Sequence, residues 1–313
     1  MSAVDVSVCV CTCRRPEGLL RCLASIEAAQ RPPGLAFEVV VVDNDARPSA
    51  EAAARRFAAG SALALRYVHE ARSGVSFARN RCLAEARGAL VAFIDDDEWC
   101  DTRWLVQLHA AMTGAGAPDV VLGPVKPVFE REPPRWLAAS RVFQRPSFAN
   151  GAAVHWGNGR TGNAMLRRAD ALACGGFDDR FAHSGGEDLH LFARLARNGH
   201  ARFVWADDAL VCETVPPSRS TLRWVLARAF AGSATMVRVQ VELDGPGRYW
   251  WWGVRGLLGA PFNAAVALLA LPFSRRAAFA RVCRCVADLG KLTAAFVPRV
   301  GSYGRLISPP APQ

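Results

Sequence analysis

The apolar run Leu90-Val91-Ala92-Phe93-Ile94 leads straight into Asp95-Asp96-Asp97-Glu98, and nothing else in the chain constrains its fold so tightly. A short apolar run bounded by a polar cluster reads as a buried strand, so four adjacent acids fall where that strand surfaces. Neighbouring carboxylates repel and raise one another's pKa. The turn can either stay fully hydrated or seat a hard cation. Mg²⁺ suits the second solution, because it takes one or two protein carboxylates together with substrate phosphates.

The surrounding pattern supplies the context. Val6–Thr12, Phe37–Asp43, Leu65–His69, Leu90–Ile94 and Val120–Gly123 read as buried strands. Between them Gly18–Ala29 carries Leu19, Leu20, Leu23 and Ile26 at helical spacing, and Ser49–Ala59 and Phe77–Ala86 are further predicted helices. The alternation predicts an α/β fold with a mostly parallel sheet and helices on both faces. Ligands of such sheets bind at the carboxyl ends of the strands. Three polar clusters fall there: Thr12-Cys13-Arg14-Arg15, Asp43-Asn44-Asp45 and Asp95–Glu98. Together they describe one site.

Composition narrows the setting. The start MSAVDVSVCVCTC has no basic segment followed by an apolar one, which predicts no secretory signal and a cytoplasmic protein. Ten cysteines occur without a CxxC pair, so neither a zinc spacing nor a disulfide framework is visible. Cys9, Cys11 and Cys13 alternate along a strand and read as small core residues on one face. Residues 219–313 hold thirteen basic residues against three acids, whereas 1–218 hold twenty-five of each sign. A basic, apolar tail predicts an anionic membrane surface as partner and no nucleic acid.

Pro124 to Asn158 reads as a loop-rich segment over the site. Order returns with Thr161-Gly162-Asn163-Ala164-Met165-Leu166-Arg167-Arg168, the turn Gly175-Gly176-Phe177-Asp178, and Ser184-Gly185-Gly186-Glu187-Asp188 opening a helix Leu189–Asn198. Taken alone, that last motif is also ordinary helix capping with acids at the positive end of the macrodipole. In the tail, Thr221–Arg238 reads as a basic amphipathic helix, and Tyr249-Trp250-Trp251-Trp252 is an aromatic cluster. Gly256–Ser274 runs nineteen residues without a charge, enough to span a bilayer. Pro261, Asn263 and Pro272 weaken a helix there, and Arg275, Arg276, Arg281 and Arg284 follow. Interfacial or re-entrant attachment is therefore expected. The alternative is an apolar helix pair packed on the soluble part or in a dimer interface.

The segments VSVCVCTCRRPEGLLRCLASI, VVVVDND, ARSGVSFARNRCLAEARGALVAFIDDDEW, GNAMLRR, GGFD, GGED and RSTLRW occur in this order. In that order they resemble the family 2 glycosyltransferases of the GT-A fold, over residues 5–232. The likeness is greatest to bacterial enzymes of exopolysaccharide and succinoglycan-type assembly. It implies a Rossmann-like sheet and inverting transfer of one sugar from a nucleotide-sugar donor, expected as a UDP-sugar, to a lipid-linked or saccharide acceptor. It also implies a divalent cation, Mg²⁺ or Mn²⁺. The expected organisation is a nucleotide-sugar half (1–123), an acceptor and catalytic half (124–232) and a membrane-associating helical tail (233–313). The expected location is the cytoplasmic face of the bacterial inner membrane, peripheral or monotopic.

The resemblance implies roles residue by residue. Thr12, Arg14 and Arg15 line the nucleotide pocket, Asp43 contacts the base, and Arg72, Arg79 and Asn80 reach the nucleotide from the side. Asp95 lies near the ribose, Asp96 fills the middle of the D-x-D, and Asp97 meets the metal on the diphosphate. Asp188 is the implied base for the acceptor hydroxyl. Gly162, Asn163, Gly186 and Glu187 approach the sugars, with Arg223 and Trp224 at the diphosphate and acceptor. Two positions depart from the family pattern. Ser220 stands where processive members carry Gln, and Val211-Cys212-Glu213-Thr214 lacks a histidine that completes the metal site in some relatives. None of His69, His109, His155, His183, His190 and His200 has metal-ligand spacing, and His183 is the one expected near acceptor. A rival of another class is a catalytically silent GT-A-fold scaffold that docks on membranes.

Overall fold

The register of four parallel strands explains why the polar clusters meet. In the computed structural model, which describes residues 4–114, 116–140, 143, 145–198 and 201–294, β1 (Val6–Thr12), β2 (Phe37–Asp43), β3 (Leu65–His69) and β4 (Leu90–Asp95) alternate with α1 (Pro16–Ala28), α2 (Glu51–Gly60) and α3 (Val75–Glu85). His200 and the end of the expected tail, 295–313, lie outside the described residues. β1 sits between β2 and β4, pairing Thr12 with Asp43 and Cys11 with Asp95. All three polar clusters therefore emerge at one sheet edge.

The chain continues through β5 (Glu98–Cys100), α4 (Trp104–Thr113), β6 (Val120–Leu122), β7 (Val125–Phe129) and α5 (Arg135–Ser140). Next come β8 (Ala164–Arg167), α6 (Arg168–Ala173), α7 (Glu187–Asn198), β9 (Phe203–Trp205) and β10 (Val211–Val215). The large sheet has the order β3-β2-β1-β4-β8-β6-β9, with β8 antiparallel to both its neighbours, and β5-β10-β7 form a second, small sheet. Successive side chains of a strand point to opposite faces, and β1 shows the consequence. Val6, Val8 and Val10 join Leu19, Leu23 and Trp104 in one core, while Cys9 joins Cys82, Leu83 and Phe192 in the other. Cys11 is partly buried against that second core; Cys13, past the strand end, is exposed. The expected α/β class, with a mostly parallel sheet covered on both faces, is the one observed.

By packing, the chain divides into two units, and the large sheet takes strands from both sides of position 124. The first comprises residues 1–128, 145–182 and 187–214; the second comprises 129–144, 183–186 and 215–313. The second unit is helical, with α8 (Leu222–Asp244), α9 (Gly247–Ala270) and α10 (Arg275–Thr293). α8 runs six residues past the expected Arg238, and α9 takes in the tryptophan cluster and continues through Pro261. Within that stretch Asn263 donates to the Gly259 carbonyl at 3.0 Å and to Asp288 at 2.9 Å. α9 meets α10 through small residues: a Cβ on Gly256 would stand 2.6 Å from the Asp288 carbonyl oxygen.

Candidate active site

Strand alternation sorts the four acids of the β4–β5 turn. Asp96 points inward and is buried, accepting from Thr12 Oγ1 at 2.9 Å, Arg15 Nη1 at 3.0 Å and the Cys13 N–H at 3.4 Å. Burial lifts its pKa to about 6. Glu98 is buried too, and its Oε2 closes the turn by accepting the Asp95 N–H at 2.9 Å. Burial, with Asp95 and Glu213 adding repulsion, holds its pKa well above the carboxylate range. Gly162 stands against this carboxyl group, where any Cβ would collide with it. Asp95 and Asp97 are left on the outer side: Asp95 accepts from Arg79 at 3.2 Å, and Asp97 from Arg15 at 3.0 Å. Glu213 faces Glu98 across the β5–β10 pair and is tied to Arg145 at 3.0 Å.

The β2 side is organised by the Asp43-Asn44-Asp45 cluster, in which Asp43, expected at the nucleotide base, is taken up by protein hydrogen bonds. Asp43 is fully buried and accepts from the Tyr67 hydroxyl at 2.9 Å, the Ala50 N–H at 2.7 Å and Ser49 Oγ at 3.0 Å. Its carboxylate thus fixes the entry to α2. Asn44 donates to the carbonyls of Glu70 (3.1 Å) and Arg72 (2.6 Å) and accepts the Gly74 N–H at 2.8 Å, pinning the β3–α3 loop. Arg14, whose φ is +56°, is exposed and pairs with Asp45 at 2.8 Å. Arg72 is exposed, pairs with Glu70 at 2.8 Å and lies 4.7 Å from the Phe77 ring centre. Arg14, Arg15 and Arg72 therefore present three solvent-facing guanidinium groups at the sheet edge, each paired with a carboxylate.

The opposite side is the start of α7. Gly185 and Gly186 have φ of +72° and +95°, a region that favours glycine, and Glu187-Asp188 follow directly. Glu187 is buried against Arg79, itself buried beside Asp95. Three carboxylates, Asp95, Glu187 and Asp188, drive the Arg79 pKa up, while burial pushes Glu187 up to about 7. Asp188 is half-buried, accepts its neighbour Leu189's N–H at 2.7 Å, and makes no ion pair among the described residues.

Two expected ligand contacts sit in structural positions. Asn80 exchanges hydrogen bonds with the Phe177 backbone, both at 2.7 Å, and so holds the Gly175–Asp178 turn. Asn163 is buried; its amide donates to the carbonyls of Pro124 (2.9 Å) and Ala209 (2.6 Å) and accepts from Trp104 Nε1 at 2.9 Å. Gly186, Arg223 and Trp224 belong to the second unit. There Arg223 is exposed, while Trp224 is buried, stacked on Phe143 with ring centres 5.4 Å apart. His183 is exposed in the same unit.

Among the described residues no group of three or more His, Cys, Asp or Glu is arranged to hold a metal ion. The outward pair Asp95 and Asp97 supplies hard oxygen donors in the number that Mg²⁺ takes from protein when phosphates complete its shell. The donor set fits such an ion.

Known proteins match this chain in sequence and in fold. The family model "Glycosyl transferase family 2" matches residues 7–175. Succinoglycan biosynthesis protein ExoM of Rhizobium meliloti (strain 1021) is 36% identical over 279 residues, 87% of each chain. Glycosyltransferase AglE of Haloferax volcanii is 26% identical over 219 residues, 70% of this chain and 69% of its own. Among solved structures, mannosyltransferase PcManGT from Pyrobaculum calidifontis, in complex with GDP-Man and Mn²⁺, superposes with a TM-score of 0.60 at 20% identity, covering 94% of this chain and 87% of that one. S. aureus TarS 1-349 in complex with UDP gives 0.53 at 19%, covering 93% and 90%. The fold is GT-A, and the chain belongs to glycosyl transferase family 2.

Replacing Asn163 with Ala leaves the Pro124 carbonyl its bond from the Val211 N–H but strands the Ala209 carbonyl and the Trp104 N–H in the interior, each worth about 1–3 kcal/mol when left unsatisfied. Urea unfolding should show a loss of roughly 2–4 kcal/mol, with nucleotide affinity of the folded fraction unchanged.

Proposed function

We propose that this protein transfers a single sugar, with inversion, from a UDP-sugar to a lipid-linked saccharide acceptor in bacterial exopolysaccharide assembly. The observation that carries the reading is the division of labour among the acids. Asp43, Asp96, Glu98 and Glu187 are buried in protein hydrogen bonds or ion pairs, whereas Asp188 stands half-buried at the head of α7 with no ion pair among the described residues. The acceptor hydroxyl attacks the anomeric carbon, its oxygen forms the new glycosidic bond, and the bond to the diphosphate breaks. Asp188 takes the hydroxyl proton, and nucleoside diphosphate leaves. An aspartate suffices, because geometry ranks before basicity for a general base and the hydroxyl sheds its proton late. Arg14, Arg15 and Arg72 attract the donor's phosphates. A Mg²⁺ or Mn²⁺ held by Asp97, with Asp95 beside it, would neutralise charge on the departing diphosphate. The ExoM likeness and neighbours solved with UDP, UDP-GlcNAc, GDP-Man and Mn²⁺ support donor class and cation.

Replacing Asp188 with Asn should leave UDP affinity unchanged and lower UDP release about 10²–10⁴-fold, measured on the best substrate among UDP-glucose, UDP-galactose and UDP-N-acetylglucosamine. Loss of UDP affinity by the same factor would make Asp188 a structural cap. Asp97→Asn should abolish the Mn²⁺ dependence of UDP binding without lowering the thermal midpoint, since it relieves like-charge repulsion. Retained Mn²⁺ dependence would remove Asp97 from the metal site.

The acceptor and location reading rests on α9, among the described residues the one helix long and apolar enough to cross a membrane. Its outer face bares Trp250 (81% exposed), Leu257, Leu258, Phe262 and Leu268, and Phe273 (88%) follows at the turn. Exposed apolar surface of this extent marks an interaction site. α10 packs along α9 and carries Arg275, Arg276, Arg281, Arg284 and Lys291, so crossing the bilayer would drag these charges through hydrocarbon. Lying in the interface buries the apolar face and sets the cations among anionic headgroups. Changing Leu257, Leu258 and Phe262 together to Ser should abolish co-sedimentation with phosphatidylglycerol vesicles while leaving UDP binding intact. Unchanged sedimentation would assign this face to another partner.

A further inference from the structure

We infer that Arg79 is a positioning residue that fixes the first turn of α7 to the end of β4 and thereby sets where Asp188 stands; this rests on the reading of Asp188 as the base. A guanidinium this deeply buried is tolerated only with charged partners, and Arg79 has two on different elements. Its Nη1 binds Glu187 at the head of α7, and its Nη2 binds Asp95 at 3.2 Å. The Phe177 ring lies 5.7 Å from its central carbon. One planar fork thus joins the D-x-D strand to the helix that presents Asp188, a geometry that a lysine ammonium cannot copy.

Two further observations make this tie matter. Among the described residues the second Glu187 oxygen is buried without a hydrogen-bond partner, and Arg79 is the side chain that anchors Glu187. The residues just before α7, Gly185 and Gly186, both occupy left-handed backbone, which gives the helix start no stiff lead-in. Asp188 adjoins Glu187 in that first turn, so any rotation there moves its carboxylate. In this structure the two Arg79 Nη atoms are bonded to carboxylates, whereas family resemblance implies a nucleotide contact for this residue.

The test is a double-mutant cycle in the full-length protein, reading UDP release from the fastest of the three UDP-sugars. Arg79→Lys should lower kcat roughly 10–100-fold with UDP affinity within about 3-fold of wild type. In the Asp188→Asn background the same change should cost less than about 3-fold, because no base remains to be placed. Losses that multiply in the double variant would overturn the inference, as would a fall in UDP affinity that matches the fall in kcat. Should Arg79→Lys fail to fold by thermal melting, Glu187→Gln, which keeps shape but weakens the anchor, must show the same non-additivity with Asp188→Asn. A single Asp188→Asn variant that keeps wild-type turnover refutes the base assignment itself, a result independent of any Arg79 change.

Discussion

The site depends on one turn dispersing four adjacent negative charges. Four carboxylates on consecutive residues would repel strongly if all faced the same way. The β4–β5 turn sends Asp96 and Glu98 inward and leaves Asp95 and Asp97 outward. The inward pair become structural: Asp96 fastens the loop after β1 through Thr12 and Arg15, and Glu98 closes the turn on the Asp95 amide. Burial raises both pKa values, and Arg15 offsets the Asp96 charge within the turn. Only then can the outward pair sit side by side at the mouth of a sheet.

Arginines complete the balance, and their burial divides them by task. Arg14, Arg15 and Arg72 are exposed, each on a carboxylate, and form a guanidinium rim toward solvent. Arg79 is buried and joins two elements of the same unit. Under the proposed function the exposed guanidinium groups of the rim would turn toward donor phosphates. Arg79 is not exposed in that way. Under the proposed function, recruitment of the donor and placement of the base would fall to chemically identical side chains in different environments.

That distinction marks where sequence reasoning stops. β1, β2 and β3 were legible to the residue, because runs such as Val39-Val40-Val41-Val42 have no other stable reading. β8, β9 and β10 were not, since three to five residues joined by irregular chain carry no periodicity, and β8 is the antiparallel insertion between β4 and β6. The acid cluster, the arginine rim and the Glu187-Asp188 helix start were visible as motifs. Whether a motif residue faces ligand or core was not. Asn163 and Asn80 are spent on backbone carbonyls and loop amides, and Trp224 on Phe143. Asn44, which pins the β3–α3 loop, gave no signal beyond its place in Asp43-Asn44-Asp45.

The tail inverts the rule that governs the sheet. In the first unit polar groups gather at the edge and hydrocarbon lies inside. In the α9–α10 hairpin Asp288 is enclosed by Asn263 at 2.9 Å and Lys291 at 2.7 Å, Arg281 reaches Asn263 at 3.2 Å, and the large apolar side chains of α9 face outward. In water that arrangement exposes the surface that burial should remove and encloses groups that water would solvate. Against a bilayer both features become favourable, because hydrocarbon covers the outer face while the inner cluster stays internally hydrogen-bonded. The pattern requires that each buried polar group have a partner on the adjoining helix. Asn263, at the small-residue face of α9, meets that requirement by bonding both its own helix and α10.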